Sequence, residues 1–117
     1  MPLAKIHRIR KKNDFEIIFS QGKTVQNSFF FIYYLKTQIH ERISRFAVVV
    51  SSKVSPKAVV RNKIRRRIRE IIRKFLTRID LGVDMIILVK SKVKDQKFVE
   101  LESSLVEIFE KANVFKR

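Results

Sequence analysis

A chain of 117 residues has room for one domain, and an apolar share of 45% places it with globular folds rather than disordered segments. Its 27 Lys and Arg against 11 Asp and Glu leave a charge of +16, which opposes compaction unless a polyanion neutralises it. The absence of cysteine excludes disulfides, thiolate chemistry and cysteine zinc sites. The longest unbroken apolar run, Phe29 to Leu35, is far short of the ~18 residues of a membrane-spanning helix.

Residues 1–12 read as an extended basic arm carrying Lys5, Arg8, Arg10, Lys11 and Lys12. No apolar stretch follows these cations, so no signal peptide is expected and the protein is expected to be cytoplasmic. Asn13 has the character of a helix N-cap, with Glu16 completing a capping box. A short helix over Asp14–Gln21 follows, stopped by Gly22, with Phe15, Ile18 and Phe19 on one face. Residues 24–35, TVQNSFFFIYYL, are β-branched and aromatic and predict strand, with a turn or bulge at Asn27-Ser28 that would split it in two. After a polar loop to Ser44, Arg45–Ser51 predicts a second strand buried on both faces.

Ser55-Pro56 marks the start of a long helix, Ser as N-cap and Pro at its first position. The helical pattern runs without Gly or Pro to about Leu76 or Arg78, and Gly82 closes the region. Met85–Val89 predicts a buried strand. Asp95 is placed to cap a last helix, in which Phe98, Leu101, Leu105, Ile108, Phe109 and Ala112 recur at helical spacing. The order is α-β-β-α-β-α, or α-β-β-β-α-β-α with the first strand split. It predicts a single α+β domain over residues 1–117, a two-layer sandwich with a mixed sheet of about four strands and helices packed on it.

The long helix carries the functional signal. In Arg61–Lys74, RNKIRRRIREIIRK, eight residues are Lys or Arg and one is acidic. On a helical wheel Val60, Ile64, Ile68, Ile71, Ile72 and Phe75 form a core-facing stripe. Asn62, Arg65, Arg66, Arg69 and Arg73 cluster opposite, and Lys63, Arg67 and Lys74 lie on a flank beside Glu70. A solvated face would mix signs four residues apart, gaining about 0.2–0.5 kcal/mol per pair. Arg65, Arg69 and Arg73 instead repeat one sign at that spacing, which costs a similar amount each time, as expected of a row kept for a ligand. Arg outnumbers Lys in this segment, and its planar fork suits phosphate. A merely solubilising helix needs neither clustering nor one sign. An anionic membrane would need a free apolar face, and here that face is required for the core.

The same residues carry a resemblance. Ala58–Glu70, AVVRNKIRRRIRE, resembles the signature of the protein subunit of bacterial ribonuclease P: Arg-Asn, two variable residues, Lys-Arg, two variable residues, then Arg and often Glu. Arg61-Asn62, Arg65-Arg66 and Arg69-Glu70 fill those places, with Arg65 standing where the family commonly has Lys. The opening RIRKKNDFEIIFSQGKTV is similar to the family's basic arm and first helix, and the later elements follow in the family's order.

The resemblance implies a ribonucleoprotein endoribonuclease in which a large catalytic RNA, with Mg²⁺, hydrolyses a phosphodiester to release the 5′ leader of precursor tRNA. The protein subunit would belong to that enzyme without catalytic residues or a cofactor of its own. It implies that Arg61, Asn62, Lys63, Arg65, Arg66, Arg67, Arg69 and Arg73 meet the catalytic RNA. Phe15, Phe19 and Tyr33 match positions of a cleft that holds the single-stranded leader, with Lys53 and the arm cations as phosphate contacts. It further implies a fold like domain 2 of ribosomal protein S5, with a left-handed βαβ crossover against the usual hand. The partners implied are the catalytic RNA and precursor tRNA, with neither DNA nor membrane.

Aromatic faces beside cations are what single-stranded RNA stacks on, yet ten Phe must also build a core without Trp. Both readings stay open for Phe15 and Phe19. Phe30 and Phe31, adjacent on a strand, point to opposite faces. His7 and His40 are isolated and read as surface residues or RNA contacts. Asp80 and Asp84 read as caps around a turn rather than a metal pair, and Glu100, Glu102, Glu107 and Glu110 as a solvent face. No general acid–base pair, carboxylate cluster, phosphate loop or nucleophile elbow is present. A structural RNA binder such as a small ribosomal protein fits the charge and fold class equally well, and lacks the Arg-Asn motif and the aromatic helix before the sheet. A DNA-binding regulator would place its basic helix after a tight helical turn rather than between strands.

Overall fold

The computed structural model describes residues 3–37 and 42–116. After a 3-10 turn at Lys5–His7 come α1 (Lys12–Gln21), β1 (Lys23–Gln26), β2 (Phe30–Lys36) and β3 (Arg45–Val49). Then follow α2 (Ala58–Phe75), a 3-10 turn (Leu76–Arg78), β4 (Val83–Val89), another (Ser91–Val93) and α3 (Phe98–Lys111). The four strands form one sheet in the order β1-β2-β4-β3. β1 with β2 and β2 with β4 are antiparallel, whereas β3 and β4 are parallel, with α2 as their crossover. The α+β order, the mixed sheet and the split at Asn27-Ser28 are those expected from the sequence.

Alternation gives the sheet two unlike faces. Phe30, Ile32, Phe46, Val48, Met85, Ile87 and Val89 face the main core. There they meet Ile64, Ile68, Ile71 and Ile72 of α2 and Leu101, Leu105, Ile108 and Phe109 of α3. Burial of each of these α2 isoleucines contributes roughly 2 kcal/mol. On the opposite face a smaller cluster, Ile9, Ile18, Ala47 and Ile86 with Phe15, Tyr33 and Leu88 at its margin, seats α1. The Asn27 side chain fastens the β1–β2 hairpin to α3. Its Oδ1 accepts from the Phe29 and Phe30 amides at 3.0 Å, and its Nδ2 donates to Ser104 Oγ at 2.8 Å.

Helix starts depart from the expected caps. Asn13 lies inside the first turn of α1, whose N-cap is Lys11, and neither Asn13 nor Glu16 closes a capping box. Ser55 accepts the Lys57 amide at 3.2 Å in a local turn, so α2 starts at Ala58, two residues later than Ser55-Pro56 suggested. Asp95 sits in the turn before α3, whose N-cap is Lys97. Polar side chains compete for backbone donors in turns as well as at caps, so Ser55 and Asp95 mark the approach to a helix rather than its first residue.

Gly22 ends α1 as expected, at φ −75°, so its role is not left-handed backbone. A Cβ there would lie 2.5 Å from the Ile18 carbonyl oxygen and 3.0 Å from that of Tyr34. The Ile18 carbonyl of the last turn of α1, with that of Tyr34 on β2 behind it, is what requires glycine. β3 stops at Val49, which is exposed, so this strand is not buried throughout. Phe98 is likewise exposed at the start of α3. Glu102 is not on a solvent face: it is half-buried and pairs with Lys74 of α2 at 2.7 Å.

Candidate nucleic-acid interface

The sequence of α2 sorts its side chains as the wheel requires. Ile64, Ile68, Ile71 and Ile72 are buried, while Asn62, Lys63, Arg66 and Arg73 are exposed and Arg61, Arg65, Arg67 and Arg69 half-buried. Arg61 donates to the Ser55 carbonyl at 3.0 Å, and Arg65 to Asn62 Oδ1 at 2.5 Å. Among the described residues, Arg65, Arg66, Arg67, Arg69 and Arg73 enter no ion pair. Lys74, by contrast, is drawn to Glu102. Partial burial, then the charges of Arg8 and Arg65, push the Arg69 guanidinium below its ordinary pKa. Three guanidiniums from two segments therefore crowd one region without an internal counter-charge, the condition an external anion relieves.

Arg8 reaches that region because the arm is not extended throughout. It makes the Lys5–His7 turn and then runs beside β3: the Ile9 amide donates to the Phe46 carbonyl at 2.9 Å, and Arg8 bridges to Phe46 in parallel. The arm thus covers part of the β3 edge, while Arg8 Nε donates to the Leu3 carbonyl at 3.0 Å. Lys5, Arg10, Lys11 and Lys12 remain exposed, with Lys12 only 3.9 Å from Glu16. Lys12 belongs to α1 rather than the arm. His7 is half-buried rather than free, its Nδ1 2.8 Å from the Ser44 carbonyl. His40 lies outside the described residues.

The open face of the sheet carries the aromatics. Phe19 of α1 meets Tyr33 of β2 edge-on with ring centroids 4.9 Å apart, and Phe15 lies 6.3 Å from Phe19. Phe31 stands 5.3 Å from Tyr33 on the same face, while Phe30 is fully buried on the other. Phe15 is half-buried against the small core, and Phe19 is 45% exposed. The structure thus brings Phe15, Phe19 and Tyr33 together. Register adds a row that the sequence reading did not assemble, Gln26–Phe31–Leu88–Val49, crossing all four strands. Only the pairing of strands reveals it. Lys53 is exposed in the turn beyond β3.

A second group missed in the sequence is ionic. Arg45 on β3 donates through Nε and Nη2 to both oxygens of Asp84 on β4, at 3.1 and 2.8 Å, and through Nη1 to Asp14 of α1 at 3.1 Å. Arg42 also pairs with Asp84. Asp84 is 5% exposed and lies in a strand, not around a turn as expected. The hydrogen bond to Asp84 is the main cause raising the Arg45 pKa, with the charges of Asp84 and Asp14 assisting against desolvation. This chain of charges ties α1 to the sheet and so fixes where Phe15 and Phe19 stand. Among the described residues no group of three or more His, Asp or Glu side chains could hold a metal ion, and no helix is long and apolar enough to cross a membrane.

Fold and site define a small, strongly basic α+β protein with an arginine-lined outer face on α2 and aromatic rings on the sheet face that α1 only partly covers. The family model described as Ribonuclease P matches residues 3–113. A ribonuclease P protein component of Bacillus cereus (strain AH187) is 33% identical over 112 residues, covering 96% of each chain. The solved Staphylococcus aureus RNase P protein is similar at 33% identity and a TM-score of 0.83, over 94% of this chain and 98% of that one. The Thermotoga maritima RNase P protein is similar at 30% identity and 0.79, over 89% and 96%. The chain belongs to the ribonuclease P protein family, the protein component of a tRNA-processing ribonucleoprotein nuclease.

Proposed function

We propose that this protein binds the catalytic RNA of its ribonucleoprotein through the arginine face of α2 and holds the single-stranded 5′ leader of precursor tRNA on the aromatic floor beside α1. The observation that carries this reading is that the N-terminal segment links two unlike surfaces: Arg8 adds its charge to that of Arg69, while its neighbour Ile9 packs in the small cluster with Phe15 and Tyr33. One is a cluster of Arg8, Arg65 and Arg69 without ion-pair partners among the described residues. The other is an accessible aromatic group of Phe19, Tyr33 and Phe31.

Their chemistry differs in kind. Guanidiniums grip phosphates of any sequence, so the α2 face suits a folded RNA recognised by its backbone. Ring faces accept unstacked bases, so the floor suits a strand without a partner. In this reading hydrolysis is the work of the RNA and its Mg²⁺, and the protein contributes affinity and placement. Partition of the strand to the floor draws the scissile bond toward the catalytic RNA, which lowers the entropic part of the barrier. The compartment proposed is the cytoplasm.

The test is reconstitution. The purified protein alone should leave precursor tRNA intact, and should raise cleavage by the cognate catalytic RNA at low Mg²⁺. Cleavage by the protein with no RNA subunit present overturns the division of labour. Leader-independent binding by the assembled enzyme overturns the role of the floor.

A further inference from the structure

The aromatic floor does not end at a wall. α1 covers the rows of Asp84 and Ile86, and the next row, Gln26–Phe31–Leu88–Val49, is half-open, with Val49 38% exposed at its end. Beyond that row β3 and β4 both leave the sheet, β3 into residues 50–57 and β4 into residues 90–97. The two loops are joined: Ser91 Oγ donates to the Lys53 carbonyl at 3.3 Å. The same end is tied to the floor, because Lys90 Nζ donates to Gln26 Oε1 at 2.9 Å and to the Asn27 carbonyl at 2.7 Å.

These loops present Lys53, Lys57, Lys92, Lys94 and Lys97, all exposed, against the single acid Asp95. Among the described residues none of the five enters an ion pair. Here the cation is Lys throughout, whereas on α2 it is chiefly Arg. Lys is a compact charge on a flexible stem, suited to a mobile backbone rather than to bidentate docking on a rigid one. A single strand whose bases lie on the floor and whose length exceeds it must leave past one end, and this end is open and positively charged.

We propose that the 50–57 and 90–97 loops form a basic rim that takes the phosphates of the distal leader, the nucleotides lying beyond those on the aromatic floor. The proposal rests on the floor holding the leader. It makes affinity depend on leader length as well as on leader presence, with Lys92 and Lys94 as contacts outside both the arginine helix and the aromatic group.

The experiment uses the reconstituted ribonucleoprotein with three substrates that differ only in the leader: none, about four nucleotides, and about twelve, bracketing the span of a single-strand site. With the unaltered protein, affinity should rise from none to short and again from short to long. In the Lys92→Ala/Lys94→Ala variant the long-to-short affinity ratio should fall toward one. The log–log salt dependence for the long leader should become shallower by about 1.4, at about 0.7 per single-strand phosphate contact. An unchanged ratio overturns the rim, as does proportional weakening of both substrates or a loss confined to catalytic-RNA binding. If the unaltered protein responds to a short leader but gains nothing from a longer one, the rim fails and the floor stands. Equal affinity for all three substrates removes both.

Discussion

Arg45 lies between two carboxylates from different elements, bonded to both oxygens of Asp84 and, 3.1 Å away on its other side, to Asp14 of α1. α1 otherwise rests on a small apolar cluster, so this arginine is a principal constraint on how the helix sits over the sheet. Replacement of Asp84 by Ala leaves Arg45 and Arg42 half-buried without their shared counter-ion. Loss of one member of a buried pair costs about 3–5 kcal/mol, and the low end applies because water still reaches both guanidiniums. The expected result is a lowered urea midpoint at unchanged slope, together with weaker leader binding as α1 loosens. A midpoint equal to that of the unaltered protein would show that the network does not hold α1.

Gly22 is the other constraint on α1, and it acts by space. A Cβ 2.5 Å from the Ile18 carbonyl oxygen and 3.0 Å from that of Tyr34 meets backbone on both sides, which cannot swing away as a flexible side chain could. Gly22→Ala should therefore destabilise by about 1–3 kcal/mol, the range for overpacking, even though Ala ordinarily stabilises a chain by restricting its unfolded state. Thermal unfolding decides it: a raised midpoint would mean that α1 can move off β2 without cost.

The arginine face of α2 makes a prediction about salt. Replacement of Arg66 and Arg69 by Ala should weaken binding to the catalytic RNA and flatten its dependence on salt, each lost phosphate contact removing about 0.7–0.9 from the log–log slope. If six to ten phosphates are neutralised in all, affinity of the unaltered protein should drop ~10³–10⁵ between 50 and 200 mM salt. Filter binding across that range measures both. A complex indifferent to salt is incompatible with a guanidinium grip.

The faces of α2 were legible because a helix writes its sides into one contiguous stretch: Ile64, Ile68, Ile71 and Ile72 against the arginines between them. Strand identities were legible for the same local reason. What could not be read is what depends on strands meeting. Asp84 looks like a turn residue until β4 is placed between β2 and β3, where it becomes the partner of Arg45. The Gln26–Phe31–Leu88–Val49 row exists only in the register of three separate pairings. The expected caps Ser55 and Asp95 each lie two residues before the observed ones because they sit in turns leading into helices, a use that sequence pattern does not distinguish from capping.

Phe19 separates fold from function more cleanly than any other aromatic of the site. It is 45% exposed, and its ring pairs are a T-shaped contact with Tyr33 and a more distant one with Phe15. It belongs to neither core cluster, so removal of its ring opens no cavity in the core. In a complex the exposed part of the same ring is open to a base, and base–aromatic stacking is worth about 1–3 kcal/mol by alanine substitution. Phe19→Ala should leave the unfolding midpoint within about 1 kcal/mol of the unaltered protein, in the range of surface positions. It should also weaken binding of leader-bearing precursor tRNA about 5- to 150-fold, since 1.4 kcal/mol is tenfold, while binding of leaderless tRNA is unmoved. Ile18→Ala, one residue away and fully buried, should do the reverse in the first respect, costing about 2–5 kcal/mol of stability. Equal effects of Phe19→Ala on substrates with and without a leader would mean that the ring is packing for α1 and not a surface for RNA.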